Sequence, residues 1–107
     1  MDRPEPEVTT APPQPTPRQR QWLRGRAHAL RPVVLVGQAG VTDAVVRSVD
    51  AALGARELIK VRLHEPEDKH AAAEELATRT GAALCGLVGH TVILYRPHPD
   101  RPVIALP

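Results

Sequence analysis

Pro32-Val33-Val34-Leu35-Val36-Gly37-Gln38-Ala39-Gly40-Val41-Thr42-Asp43 carries the first clear structural signal in the chain. The apolar run from Val33 to Val36 reads as a short strand buried on both faces. Gly37 and Gly40 then turn the chain. The Thr42 side chain is placed to accept a hydrogen bond from one of the unpaired amides that open a helix. Beyond it, Val45, Val49, Ala52 and Leu53 recur at helical spacing to about Gly54. The passage is a strand, a glycine turn and a capped helix.

Working toward the C-terminus, Leu58-Ile-Lys-Val-Arg-Leu63 alternates, with Ile59, Val61 and Leu63 on one face and Lys60 and Arg62 on the other. Pro66 and Glu67 open a third helix, with Ala72, Ala73, Leu76 and Ala77 as its inner stripe and Gly81 at its C-terminal cap. Two strands follow, Ala83–Val88 and Thr91–Tyr95, joined by a two-residue hairpin at Gly89-His90. Toward the N-terminus, Arg18–Leu30 reads as a basic helix in which Trp22, Leu23, Ala27 and Leu30 share a face, stopped by Pro32. The order helix-β-α-β-α-β-β predicts a two-layer α/β domain: a four-stranded mixed sheet with helices packed on one face. Right-handed crossovers place the two later helices on the same side.

At 107 residues the chain has room for one domain. Six of its twelve prolines fall within the first 17 residues, so residues 1–16 are expected to be a disordered, proline-rich tail and residues 17–107 the folded domain. The tail is either a ligand for a proline-reading partner or a solubilising extension. With 15 Ala, 12 Val, 11 Leu, one Trp, one Tyr and no Phe, the core is built of small and branched side chains. So few aromatics argue against domains that stack bases on several rings. No apolar run approaches a membrane span and the start lacks signal-peptide form, which predicts a cytoplasmic protein.

Net charge is only +2, yet residues 17–62 carry +6 between flanks of −2 each. Arginine outnumbers lysine twelve to two, and guanidinium groups fork onto phosphates and stack on bases. Such a block suits a polyanion, or else an ordinary solvated surface. The Gly37–Gly40 turn likewise has two readings. It is a close-approach site for a sugar-phosphate backbone, or simply a βα turn that needs positive φ. Asp43, just past the cap, would repel an anion on the helix axis, so a phosphate would have to sit on the turn itself. Gly86-Leu-Val-Gly89 repeats the spacing inside the predicted hairpin and reads as structural.

Enzymatic constellations are missing. The five histidines show neither HExxH nor paired spacing, Cys85 reads as an inert buried thiol, and no Walker lysine follows the turn. No metal, cofactor or small-molecule substrate is expected.

Taken together, Leu23–Gly37, Gly40–Val45, Arg56–Val61, Thr80–Ala82, Val88–Pro97 and Ile104–Pro107 resemble the YhbY-like CRM (chloroplast RNA splicing and ribosome maturation) domain. The resemblance covers residues 17–107 and implies a compact RNA-binding module akin to the C-terminal domain of translation initiation factor three. It also implies a likeness to the stand-alone bacterial members, which look like factors that associate with precursors of the large ribosomal subunit. The family's GxxG loop falls on Gly37, Gln38, Ala39 and Gly40, and its basic surface on Arg24, Arg26, Arg31, Lys60, Arg62 and Arg96. Many family loops carry a basic residue between the glycines; Gln38 and Ala39 do not, so the surrounding arginines must supply the charge. The expected function is non-catalytic binding of structured ribosomal RNA in ribosome assembly, by a monomer. The alternative is an adaptor that docks an acidic ribosomal protein or assembly GTPase. Trp22 either stacks on a base or anchors its helix to the sheet.

Overall fold

The computed structural model describes residues 13–107. The chain runs α1 (Pro17–Ala27), β1 (Pro32–Val36), α2 (Asp43–Arg56), β2 (Leu58–Leu63), α3 (Lys69–Thr80), β3 (Ala83–Val88) and β4 (Thr91–Tyr95). The strands form one sheet in the order β1-β2-β4-β3, with β1 parallel to β2 and both other pairings antiparallel. The α/β class, the element order and the mixed four-stranded sheet agree with the sequence reading. Residues 1–12 of the expected tail lie outside the described residues, whereas Pro15 is buried and Thr16 is already part of the fold.

Two apolar clusters sandwich the sheet. On one face Val49 and Leu53 of α2 and Ala73, Leu76 and Ala77 of α3 pack on Val36, Ile59, Val61, Leu63, Val92 and Leu94. The crossovers therefore place these two helices together, as expected. On the other face Leu23 and Ala27 of α1 pack on Leu58, Ala83, Cys85, Ile93 and Tyr95. The helices thus do not all share one face. α1 precedes the first strand and bridges no parallel pair, so crossover handedness does not constrain it. Tyr95, Ile93 and Cys85 supply a second apolar surface that it covers. α1 leaves β1 largely uncovered, its α1-side residues Val33 and Leu35 being 40% and 61% exposed. The expectation of a first strand buried on both faces therefore fails, because β1 is an edge strand covered on one side.

The caps explain the boundaries. Thr16 Oγ1 accepts from the Gln19 amide while Gln19 Oε1 accepts from the Thr16 amide, a closed capping box at α1. Thr42 caps α2 by accepting from the Val45 amide at 3.1 Å. α3 starts later than the Pro66-Glu67 signal predicted, because Asp68 accepts from the Ala71 amide at 3.0 Å and fixes the first turn there. Gly81 ends α3 with φ +68°.

The C-terminal segment is tied down by one buried carboxylate. Glu57, 3% exposed, accepts from the amides of His98 (2.7 Å), Val103 (3.0 Å) and Ile104 (2.9 Å). Burial pushes the Glu57 carboxyl up, but these donated amides and the nearby His98 outweigh it and hold the group below its ordinary value. Ile104 and Leu106, like Trp22, then pack on the α1-side cluster, and Gln19 Nε2 donates to the Pro107 carbonyl at 3.0 Å. The strap holds α1 against its face of the sheet.

Candidate nucleic-acid interface

The Gly37–Gly40 turn stands at the end of β1 with Gly37, Gln38 and Ala39 exposed. The Gly40 amide donates to the Gly37 carbonyl at 3.0 Å, and Gly40 has φ +79°. The amides of Gln38 and Ala39 donate to none of the described residues. They are two unpaired donors at the tip of a glycine turn, the arrangement that cradles a phosphate. A Cβ at Gly37 would meet nothing within 4 Å, so the fold leaves that side open.

The turn continues into an uncovered strip of sheet. Leu35, Arg62, Thr91 and Val88 pair across β1, β2, β4 and β3, on the same face as α1. One pleat back, about 7 Å along the strands, lie Lys60, Ile93 and Gly86 beneath α1. α1 stops there, leaving Leu35 61% and Val88 63% exposed with Arg62 exposed between them. The result is a shelf: the strip is its floor, α1 its wall and the glycine turn its corner.

Two basic residues are built into that wall. Arg24 Nη1 donates to the Cys85 carbonyl at 2.8 Å, and its stem lies where a Cβ on Gly86 would come within 2.7 Å of Cδ. Gly86 thus makes room for Arg24, which gives the second glycine pair its structural role; Gly89, with φ +59°, turns the hairpin. Lys60 Nζ donates to the carbonyls of His28 (3.3 Å) and Leu30 (3.0 Å), placing a cation at the C-terminal end of α1, where the helix dipole favours it.

The other predicted residues lie elsewhere. Arg26 and Arg31 line a separate cleft near the starts of β1 and β2, together with Arg56 at the end of α2. Arg26 sits over the Trp22 ring at 5.3 Å, and Trp22, half-buried in the α1 cluster, anchors its helix. Arg96 is not brought to this face. Its guanidinium donates to Asp50 Oδ1 (2.6 Å), the Thr80 carbonyl (2.7 Å) and the Asp50 carbonyl (3.1 Å), tying α2 to the end of α3. Of the six predicted cations, Arg24, Lys60 and Arg62 surround the shelf, Arg26 and Arg31 form the cleft, and Arg96 is a strut on the opposite side.

Arg56 was missed by the sequence reading, although it opens the Arg56-Glu-Leu-Ile-Lys-Val61 block. Also missed was the charge on the far flank of the turn. There a cleft of about 410 Å³ is lined by Gly37 and Gln38 together with Glu65, Glu67, Asp68 and Glu75. The turn therefore divides a basic side from an acidic one, and a polyanion meets less repulsion on the α1 side. Asp43 does not oppose it unmasked, since Arg79 pairs with its carboxylate and also donates to the Val41 carbonyl at 2.9 Å. Burial pushes the Cys85 thiol up to about 11, against the pull of Arg20 and Arg24, so at neutral pH it is protonated. Among the described residues no three His, Cys, Asp or Glu side chains converge on a metal site, and no helix is long and apolar enough to cross a membrane.

The α/β fold thus carries one glycine turn, with an open shelf bearing Arg24, Lys60 and Arg62 on one flank and Glu65, Glu67, Asp68 and Glu75 on the other. The chain belongs to the CRS1 / YhbY (CRM) domain family, whose model matches residues 16–96. It is 38% identical over 94 residues to the "Probable RNA-binding protein YqeI" of Bacillus subtilis, covering 86% of this chain and 98% of that protein. It is 36% identical over 88 residues to an "RNA-binding protein" of Haemophilus influenzae, covering 80% and 89% of the two chains. The solution structure of SAV1595 from Staphylococcus aureus superimposes with a TM-score of 0.77 at 31% identity, over 88% of this chain and all of that one.

Proposed function

We propose that this protein is a non-catalytic RNA-binding factor that engages structured ribosomal RNA on the α1 side of its sheet. It acts in the cytoplasm on the precursor of the large ribosomal subunit. The observation that carries the reading is the segregation of charge about one exposed glycine turn. Gly37–Gly40 offers free amides and an open Cα surface, Arg24, Lys60 and Arg62 lie on one flank, and Glu65, Glu67, Asp68 and Glu75 lie on the other. The Gln38 and Ala39 amides hold a phosphate, the three cations neutralise its neighbours, and Leu35 and Val88 rest against the sugar edge of a shallow groove. The family and the relatives named as RNA-binding proteins support RNA as the polyanion. Crosslinking in cells followed by sequencing of the attached RNA tests the assignment. Enrichment of large-subunit precursor is the expected result. Recovery of acidic protein partners with no enriched RNA would replace it with the adaptor reading.

A further inference from the structure

We propose that the cleft beside the starts of β1 and β2 is a second RNA contact, one that takes a single unpaired nucleotide. This rests on the RNA-binding reading and adds to it a site that the glycine turn does not explain. The cleft encloses about 630 Å³, within the range of small-ligand sites. Arg26, Arg31 and Arg56 stand around it, and none of the three forms an ion pair with a described residue. Its apolar lining includes Leu30, Val33 and Ile104, with Leu30 37% and Val33 40% exposed.

That combination matches a nucleotide's two halves. A base is a flat, largely apolar plate that covers Leu30 and Val33 and stacks on a guanidinium face, while the flanking phosphates accept from the guanidinium forks. Arg26 already lies over the Trp22 ring, so less freedom is lost when it is used. An acidic peptide would engage the arginines but leave the apolar floor in water. The site is distinct from the shelf: β2 runs from Leu58 beside the cleft to Leu63 beside the turn, about 17 Å at strand rise. One nucleotide cannot touch both. A duplex on the shelf would direct a single-stranded flank along α1 into the cleft.

The experiment is an NMR titration of the full chain with three probes: tetra-adenylate, a blunt-ended RNA duplex and tetraglutamate. Tetra-adenylate is expected to shift the amides of Leu30, Val33 and Ile104, and to bind about tenfold or more weakly to the Arg31→Ala/Arg56→Ala double variant. The blunt duplex is expected to perturb Gly37–Gly40 and Arg62 and to bind that variant nearly as well as the parent. The proposal is overturned if tetra-adenylate perturbs only the shelf or nothing, if the double variant binds it undiminished, or if tetraglutamate binds the cleft equally well. A duplex that fails to bind the parent protein would instead remove the reading that structured RNA sits on the shelf.

Discussion

At Gly40 the backbone turns through φ +79°, a left-handed conformation in which any side chain meets its own carbonyl, whereas at Gly37 nothing in the fold excludes a Cβ. The two glycines are therefore separable. Gly40→Ala is expected to cost about 1–2 kcal/mol of stability through strain alone, read as a lowered midpoint in urea. Gly37→Ala is expected to leave that midpoint within about 0.5 kcal/mol. It should still weaken RNA binding severalfold, because the new methyl occupies the path of an approaching phosphate. Unchanged RNA affinity for a normally folded Gly37→Ala protein would return the turn to a purely architectural role. The backbone demand was one of the two readings open from sequence, and it holds at Gly40 only. The open space at Gly37 depends on what lies across the turn, which no local pattern encodes.

Among the elements, the strap from His98 to Leu106 depends most on a single side chain. Glu57 sits with φ +66° between α2 and β2, and its carboxylate collects the amides of His98, Val103 and Ile104. Since its folded pKa lies below the ordinary value of 4.5, the linked stability is complete above that value and drains away as pH falls through the lower folded value. Glu57→Gln is expected to cost about 2–3 kcal/mol at neutral pH, because an amide group must face amide donors, and to flatten the stability profile below pH ~4.5. Thermal melts between pH 3 and 7 would show both; an unaltered acid limb in Glu57→Gln would assign that limb to other carboxylates. Nothing in the residues around Glu57 announced this role, since its partners lie more than 40 positions away. By contrast all seven elements were legible, because each is bounded by punctuation such as Thr42, Gly81 or Gly89-His90. What periodicity could not convey was the side on which α1 lies. The apolar run Val33–Val36 has no period, so it could not reveal that one of its faces is open. The positions of Arg24, Arg26 and Arg31 follow from how α1 crosses the sheet, which is why the basic residues could be named but not grouped.

For the whole molecule, a net charge of +2 understates the field an approaching RNA meets. Of the nine acids among the described residues, six stand away from the α1 side: Asp43 and Glu75 are occupied by Arg79, Asp50 by Arg96, and Glu65, Glu67 and Asp68 lie beyond the turn. The α1 side is left with Arg24, Lys60 and Arg62 at the shelf and Arg26, Arg31 and Arg56 at the cleft. Should four to six of these neutralise phosphates, log Kd plotted against log salt rises with a slope of about 3 to 4, each contact adding roughly 0.7. Arg62→Ala is then expected to lower that slope by about 0.7 and to weaken binding alike across RNA sequences, because a phosphate contact carries no base information. Arg96→Ala supplies the contrast. It should leave the slope unchanged and cost about 1–2 kcal/mol of folding stability, since its charge-assisted bonds join α2 to α3 on the side opposite the shelf. A salt titration of the parent and both variants, with urea denaturation alongside, separates the cations that meet the ligand from the one that holds the scaffold. Equal slopes for all three proteins would mean that Arg62 does not touch phosphate.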